Sequence, residues 1–300
     1  MSQRKIALLP DRAVVRVDGS DAEKLLQRLV TNDVPHGASR RWVFAALLTP
    51  QGKILFDFLI ARHGGGYLID TAADRAAELV RRLHVYRLRA RVDIADASGQ
   101  LLIQAVWSET PAALDPGAAM AHAFDPRLSD LGLRILAGPG AVGDLTAVPA
   151  LEANATPADY HEHRIALGVP EGGKDYAFGE TFPHEADLDL LNGISFTKGC
   201  FIGQEVVARM KHRGVVRKRV VPVQADAPLR SGAPVMLGEV EVGRIGSVAG
   251  RRGLALVRLD RAAEASARGQ VLLADGVAIA LRRPDWASFE LAPAPTAGKA

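Results

Sequence analysis

Three short apolar segments in close succession limit what this chain can fold into. Residues 42–48 (Trp-Val-Phe-Ala-Ala-Leu-Leu), 53–61 and 67–70 are divided by two turn clusters, Thr49-Pro50-Gln51-Gly52 and Gly64-Gly65-Gly66. Each segment is too short for a stable helix and is bounded by turn-forming residues, so the run predicts three antiparallel strands. The flanking sequence supplies cover for such a sheet. Residues 14–17 alternate and predict another strand. Gly19-Ser20-Asp21 then leads, with Asp21 as N-cap, into a helix over 22–30 whose Leu25, Leu26, Leu29 and Val30 share a face. On the other side Thr71 is the expected N-cap of a helix over 72–86, with Ala76, Leu79, Val80 and Leu83 at helical spacing, followed by strands over 92–94 and 101–107. The order of strand, helix, strand, strand predicts a ferredoxin-like α+β unit.

The pattern changes past Gly214. Apolar segments at 216–223, 235–237, 240–248, 254–257, 271–273 and 277–281, with turn residues between them, predict a small antiparallel barrel as a separate unit. Between the two regions lie an Ala-, Pro- and Gly-rich loop or lid (108–126), a short strand (131–136) and a helix over 157–167 closed by Gly168. Residues 169–192 lack periodicity, which in a compact protein marks a functional or mobile segment. The expected division is 1–214, 215–290 and a disordered tail over 291–300. A chain of 300 residues with 48% hydrophobic and 24% charged residues fits more than one packed core. The formal charge of +3 is too small to imply bulk nucleic-acid binding. Apolar runs stay well short of the roughly 18 residues that cross a bilayer. Residues 1–10 hold only a four-residue apolar run, Ile6 to Leu9, so the leader test predicts a cytoplasmic protein.

The chemistry concentrates in Lys198-Gly199-Cys200-Phe201-Ile202-Gly203-Gln204-Glu205, which contains the only cysteine. A single thiol forbids an internal disulfide and a four-thiolate iron–sulfur site within one chain. Lys198 and a helix expected to begin near Gly203 both favour an anion at Cys200. Gly199 and Gly203 permit close approach or positive φ, and Gln204 and Glu205 can hydrogen-bond a planar heterocycle. A small buried cysteine in a glycine turn is the competing reading. Elsewhere, Thr31-Asn32-Asp33 ends the first helix with polar side chains, and Asp57 interrupts an apolar strand, where alternation favours a solvent-facing position. His161 and His163, two residues apart on a helix, are a poor metal pair. The runs Arg81, Arg82, Arg87, Arg89, Arg91 and Arg209, Lys211, Arg213, Arg217, Lys218, Arg219 read as solvated faces, with an anion-facing patch as the alternative.

The 198–205 stretch closely resembles the K-G-C-[YF]-x-G-Q-E signature of the YgfZ family, which is related to the aminomethyltransferase (T-protein) of the glycine cleavage system. Asp21 to Asp33, Pro50-Gln51-Gly52-Lys53, Tyr86-Arg87-Leu88-Arg89, the segment 164–173 and Phe182-Pro183-His184-Glu185 resemble further family segments in the right order, over roughly residues 10 to 285. The resemblance implies a three-part α+β fold, with ferredoxin-like units around a central channel for tetrahydrofolate and a C-terminal antiparallel β-barrel. It implies a role in assembly or repair of iron–sulfur clusters in client enzymes, including tRNA-modifying ones. Cys200 would be the reactive or cluster-contacting thiol and Lys198 would hold it as an anion. Asn32, Asp57, Arg164, Gln204 and Glu205 are the expected folate contacts, and folate and iron–sulfur client or assembly proteins the expected partners. The transferase's two adjacent acids fall on Phe56 and Asp57, so one is lost and aminomethyl transfer is the weaker reading. An RNA-binding module using the arginine runs is the third.

Overall fold

The computed structural model describes residues 4–36, 42–108, 122–138, 141–142, 145–146, 151–214 and 216–291. It divides into two compact units, residues 1–160 with 191–206 and residues 161–190 with 207–300. The segment 161–190 groups with the barrel strands and the 191–206 motif segment with the N-terminal sheets.

The first unit contains β1 (Lys5–Leu8), β2 (Arg12–Asp18), α1 (Ala22–Leu29), β3 (Trp42–Leu48), β4 (Ile54–His63), β5 (Gly66–Ala72), α2 (Ala76–Arg87), β6 (Asp93–Asp96), β7 (Leu102–Trp107), β8 (His122–Phe124), β9 (Leu133–Ala137) and the two-residue strands β10 (Ala141–Val142) and β11 (Leu145–Thr146). One sheet runs β3-β4-β5-β2-β6 and another β1-β7-β9-β8. Their strand pairings are antiparallel. Val15, Val17, Leu47, Phe56, Phe58, Ile60 and Ile69 bury one face of the five-stranded sheet against Leu25, Leu26 and Leu29 of α1 and Leu79 and Leu83 of α2. Side chains alternate along a strand, so Arg12, Asp57 and Asp70 belong to the other face, which is buried too. Burial on both faces explains the near-continuous apolar strands. The second face carries a charged network. Arg12 Nε donates to Asp70 at 2.7 Å, Arg127 Nη2 to Asp125 at 2.7 Å, and Arg134 Nη2 to Asp125 at 3.2 Å and to the Tyr160 hydroxyl at 2.9 Å.

Two helix starts differ from expectation. Thr71 lies inside β5 with its hydroxyl donating to Asp57 O at 3.3 Å, and a 3-10 turn over Ala73–Arg75 precedes α2. Asp21 makes no side-chain cap on α1. Its carboxylate accepts the Arg91 amide at 2.8 Å instead.

Helix α3 (Pro157–Ala166) and helix α4 (Gln204–Arg213) each cross the division between the units. The second unit continues with β12 (Lys218–Ala225), β13 (Pro234–Leu237), β14 (Val240–Ala249), β15 (Arg252–Arg258), α5 (Leu259–Ala267), β16 (Leu272–Ala274) and β17 (Val277–Leu281). The six strands close into a barrel in the order β12-β15-β14-β13-β16-β17. Val221, Val223, Val235, Ile245, Val257 and Ile279 fill its core. The α+β class and the C-terminal antiparallel barrel are as the sequence leads one to expect. Helix α5 is an addition, buried through Leu259, Ala262 and Ala265. Gly168 takes φ +75° after α3, as a helix-ending glycine does. Most of the expected 108–126 lid and the expected tail past residue 291 lie outside the described residues.

Candidate functional site

Within the first unit, segments far apart in sequence meet around residues 192–206. The exit of α1 supplies one wall. The Thr31 hydroxyl donates to Gly193 O at 2.7 Å and accepts the Ala46 amide at 2.9 Å, while the Ser195 amide donates to Thr31 O at 3.0 Å. Asp33 accepts from Gln27 Nε2 and from Ser195 Oγ, both at 2.7 Å, and Ser195 Oγ in turn accepts the Lys198 amide at 3.1 Å. Asn32 uses its whole amide. Nδ2 donates to Phe44 O at 2.9 Å and Asn192 O at 2.6 Å, and Oδ1 accepts the Asp33 amide at 2.9 Å.

The turn between β3 and β4 supplies the other wall. Gly52 and Gly203 both take φ +80°. A Cβ on Gly203 would sit 2.7 Å from Thr49 O and 3.0 Å from Gly52 Cα, and one on Gly52 would sit 2.8 Å from Val206 Cβ. Two glycines let the hairpin and the signature loop touch backbone to backbone. Gly199 differs. A Cβ there would meet nothing within 4 Å, so no contact of the folded chain requires glycine at that position.

Lys198 is buried, and its Nζ donates to the carbonyls of Val30 and Asn32, each at 2.7 Å. These carbonyls lie just past α1, in the extended segment that follows its last residue, Leu29. The ammonium also lies 5.5 Å from the centre of the Phe201 ring. Burial lowers the Lys198 pKa to about 8, against an opposing pull from Asp33. The lysine therefore staples the loop to α1. The expected pairing of Lys198 with the Cys200 thiolate has no counterpart among the described contacts, and Cys200 itself is exposed. The loop turns one side chain inward and the other out. Helix α4 begins at Gln204, which is partly buried, and Glu205 lies exposed in its first turn.

The remaining expected contacts are Asp57 in the first unit and Arg164 in the second. Asp57 is 6% exposed, buried on the second face of the sheet rather than facing solvent, because a second layer covers that face. Arg164 belongs to the second unit and is fully buried. Its Nη1 donates to Asp175 at 2.6 Å and Val169 O at 2.7 Å, its Nη2 to Ser247 Oγ at 2.7 Å, and its Nε lies 3.4 Å from Glu171. Asp175 also accepts the amides of Glu171 at 2.8 Å and Ser247 at 2.7 Å. Arg164 is thus committed to holding the second unit together. Arg219 is likewise buried, donating to Asp187 at 2.7 Å and Asp189 at 2.9 Å, so the run from Arg209 to Arg219 is not one solvated cationic face. The sequence places Asp33 among the polar side chains that end α1 but gives no sign of its partner Ser195. The one available signal was Asp33 following the helix end, six residues after Gln27. Among the described residues no group of three or more His, Cys, Asp or Glu side chains could hold a metal ion.

Residues 217–289 match the family described as CAF17, C-terminal beta-barrel domain. The human protein named iron-sulfur cluster assembly factor IBA57, mitochondrial, is 34% identical over 93% of this chain and 84% of its own length. The mouse protein of that name is 33% identical over 83% of this chain and 76% of its own. A homolog from Mycosarcoma maydis is 35% identical over 73% of this chain, which spans only 57% of that relative. The crystal structure of glycine cleavage system aminomethyltransferase T from Bartonella henselae superimposes with a TM-score of 0.73 at 14% identity, covering 95% of this chain and 87% of that one, and so shares the fold. The relatives are named as mitochondrial, which overturns the cytoplasmic placement drawn from residues 1–10. A leader test reads a few residues and carries nothing from the rest of the chain. Identity at this level across most of the chain places it in the IBA57 family of iron–sulfur cluster assembly factors.

Proposed function

We propose that this chain serves iron–sulfur cluster assembly by presenting Cys200 to a cluster held by another protein. The observation that carries this reading is an exposed thiol on a loop whose neighbours are fastened on both sides. Lys198 and Ser195 tie the loop to the exit of α1, and Gly203 seats it on the Thr49–Lys53 turn. With one cysteine in the sequence, the remaining ligands of any bound cluster come from a partner. Client enzymes, tRNA-modifying ones included, would receive the product. The test is a strain deleted for this chain, assayed for [4Fe–4S] enzymes. Their activity falls and is restored by the wild-type chain; undiminished activity in the deletion strain contradicts the reading.

We infer that a tetrahydrofolate would be held through Asp57, while Asn32 and Arg164 also spend polar atoms on protein partners. Asp57 is a buried carboxylate on a strand, suited to accept from the N–H edge of a pterin ring. Gln204, which makes no side-chain hydrogen bond among the described residues, would supply a second contact. When bound, the folate supplies a reduced pterin able to carry one-carbon units. Titration with tetrahydrofolate, followed by tryptophan fluorescence, shows saturable binding that Asp57→Asn weakens by about tenfold, the loss of a charge-assisted hydrogen bond. Equal binding by the variant removes Asp57 from the site. Turnover of an aminomethyl substrate with a lipoyl carrier would replace the assembly reading with a transferase.

A further inference from the structure

Helix α2 buries Leu79 and Leu83 in the first unit, and Tyr86 and Ala90 at its end pack against the same core, but two other apolar side chains of this stretch do not. Val85 is 67% exposed and Leu88 86% exposed. Leu88 also holds φ 47° and ψ −109°, a conformation that a residue with a side chain adopts only at a cost. Arg81, Arg89 and Arg91 are exposed on the same stretch and Arg82 is half-buried. Arg91 pairs with Asp21 at 3.4 Å, and Arg87 donates to Val92 O at 3.4 Å. Arg81, Arg82 and Arg89 have no acidic partner among the described residues. Arginines at a helix C-terminus are favoured by its dipole, which accounts for the charge. It does not account for a strained leucine held in water one residue past the helix, close in sequence to an exposed valine in its last turn.

We propose that this end of α2 is a docking surface for a protein partner that offers an apolar socket to Leu88 and Val85, rimmed by carboxylates that meet Arg81, Arg82 and Arg89. An apolar anchor inside a charged rim is how compact protein interfaces divide affinity and specificity. A lipid surface is a poorer match. The apolar face of α2 is spent on the core, which leaves two apolar side chains where an interfacial helix buries a whole face. Nucleic acid would use the arginines and leave Leu88 without a role. The proposal stands apart from the role of Cys200, so either can fail without the other.

The test places a photoreactive benzoylphenylalanine at position 85 of the full chain, expressed in its deletion strain, and irradiates the cells. The captured protein is then purified and its binding to the wild-type chain measured. The account expects one discrete acidic partner whose affinity falls by about tenfold, roughly 1.4 kcal/mol, with Leu88→Gly and again with Arg81→Glu/Arg89→Glu. Substituting lysine for the facing carboxylates of the partner restores binding to the charge-reversed chain. Leu88→Gly keeps or raises Tm, because glycine adopts positive φ freely, so its lost binding is not unfolding. The proposal is overturned by the absence of an adduct, by an adduct insensitive to both variants, by a Tm that falls with Leu88→Gly, or by Leu88-dependent binding to phosphatidylglycerol vesicles.

Discussion

Lys198 and Arg164 are both buried cations, and the sequence marks both as site residues, yet they are held in opposite ways. Arg164 in the second unit is matched by the Asp175 carboxylate at 2.6 Å, with Glu171 beside it. Lys198 in the first unit is matched by two backbone carbonyls, with Asp33 acting only at longer range. A cation met by carboxylates is neutralised, and its region is built to hold. A cation met by carbonyl dipoles keeps its charge at the cost of a pKa lowered to about 8 by burial. Its work is to fix a loop whose next polar side chain, Cys200, is left in the open. The difference separates a structural ion pair from the fastening of a loop, and each side of it can be tested.

The largest expected effect lies in the second unit. Asp175→Ala leaves Arg164 buried without its main partner and costs about 3–5 kcal/mol in urea unfolding. A loss under about 1 kcal/mol would show that the pair is not structural. Next is Gly203→Ala, which forces a Cβ against Thr49 O at positive φ and costs about 1–3 kcal/mol. Gly199→Ala, with open space around it, stays within about 0.5 kcal/mol. Equal effects at the two glycines would remove the backbone contact from the account. Lys198→Met strips the donors from Val30 O and Asn32 O, costs about 1–2 kcal/mol and speeds alkylation of Cys200 as the loop loosens. An unchanged alkylation rate would mean that Lys198 does not staple the loop. The smallest effect appears only in acid. Burial alone would raise the Asp125 carboxyl, but Arg127 and then Arg134 outweigh it and hold it at about 2 instead of 3.8. A carboxylate lowered on folding contributes stability above its unfolded pKa and loses it as pH falls through the folded one. Stability therefore declines between about pH 4 and 2, and Asp125→Asn, whatever its starting stability, lacks that part of the slope.

Much of the fold is legible because it rests on local pattern. The run from Trp42 to Asp70 states its strands and turns outright, and the barrel strands follow from apolar segments separated by turn residues. What the sequence conceals is long-range pairing. Asp57 reads as solvent-facing by alternation, since nothing nearby announces a second layer over that face. Arg164 is a ligand contact only by the resemblance, and Asp175, eleven residues on in an aperiodic segment, declares no relation to it in the sequence. Lys198 and Cys200 are two residues apart, and nearness in sequence suggests a pairing, whereas the carbonyls of Val30 and Asn32 that receive the Lys198 ammonium lie 168 and 166 residues away. Helix α5 escapes notice because its buried face is Leu259, Ala262 and Ala265, too small a signal against the strands around it. Within 198–205, Gly203 and Lys198 each have a specific structural task, one against the Thr49–Lys53 turn and one against the exit of α1.

Cys200→Ala, expressed in the deletion strain and also purified, separates the site from the scaffold. An exposed side chain tied to nothing predicts unfolding stability within about 0.5 kcal/mol of wild type. If the thiol is what the loop exists to present, the variant accumulates to wild-type levels, keeps its Tm and fails to restore the [4Fe–4S] enzymes. Full restoration of those enzymes by the same variant would show that the loop is held for some other purpose.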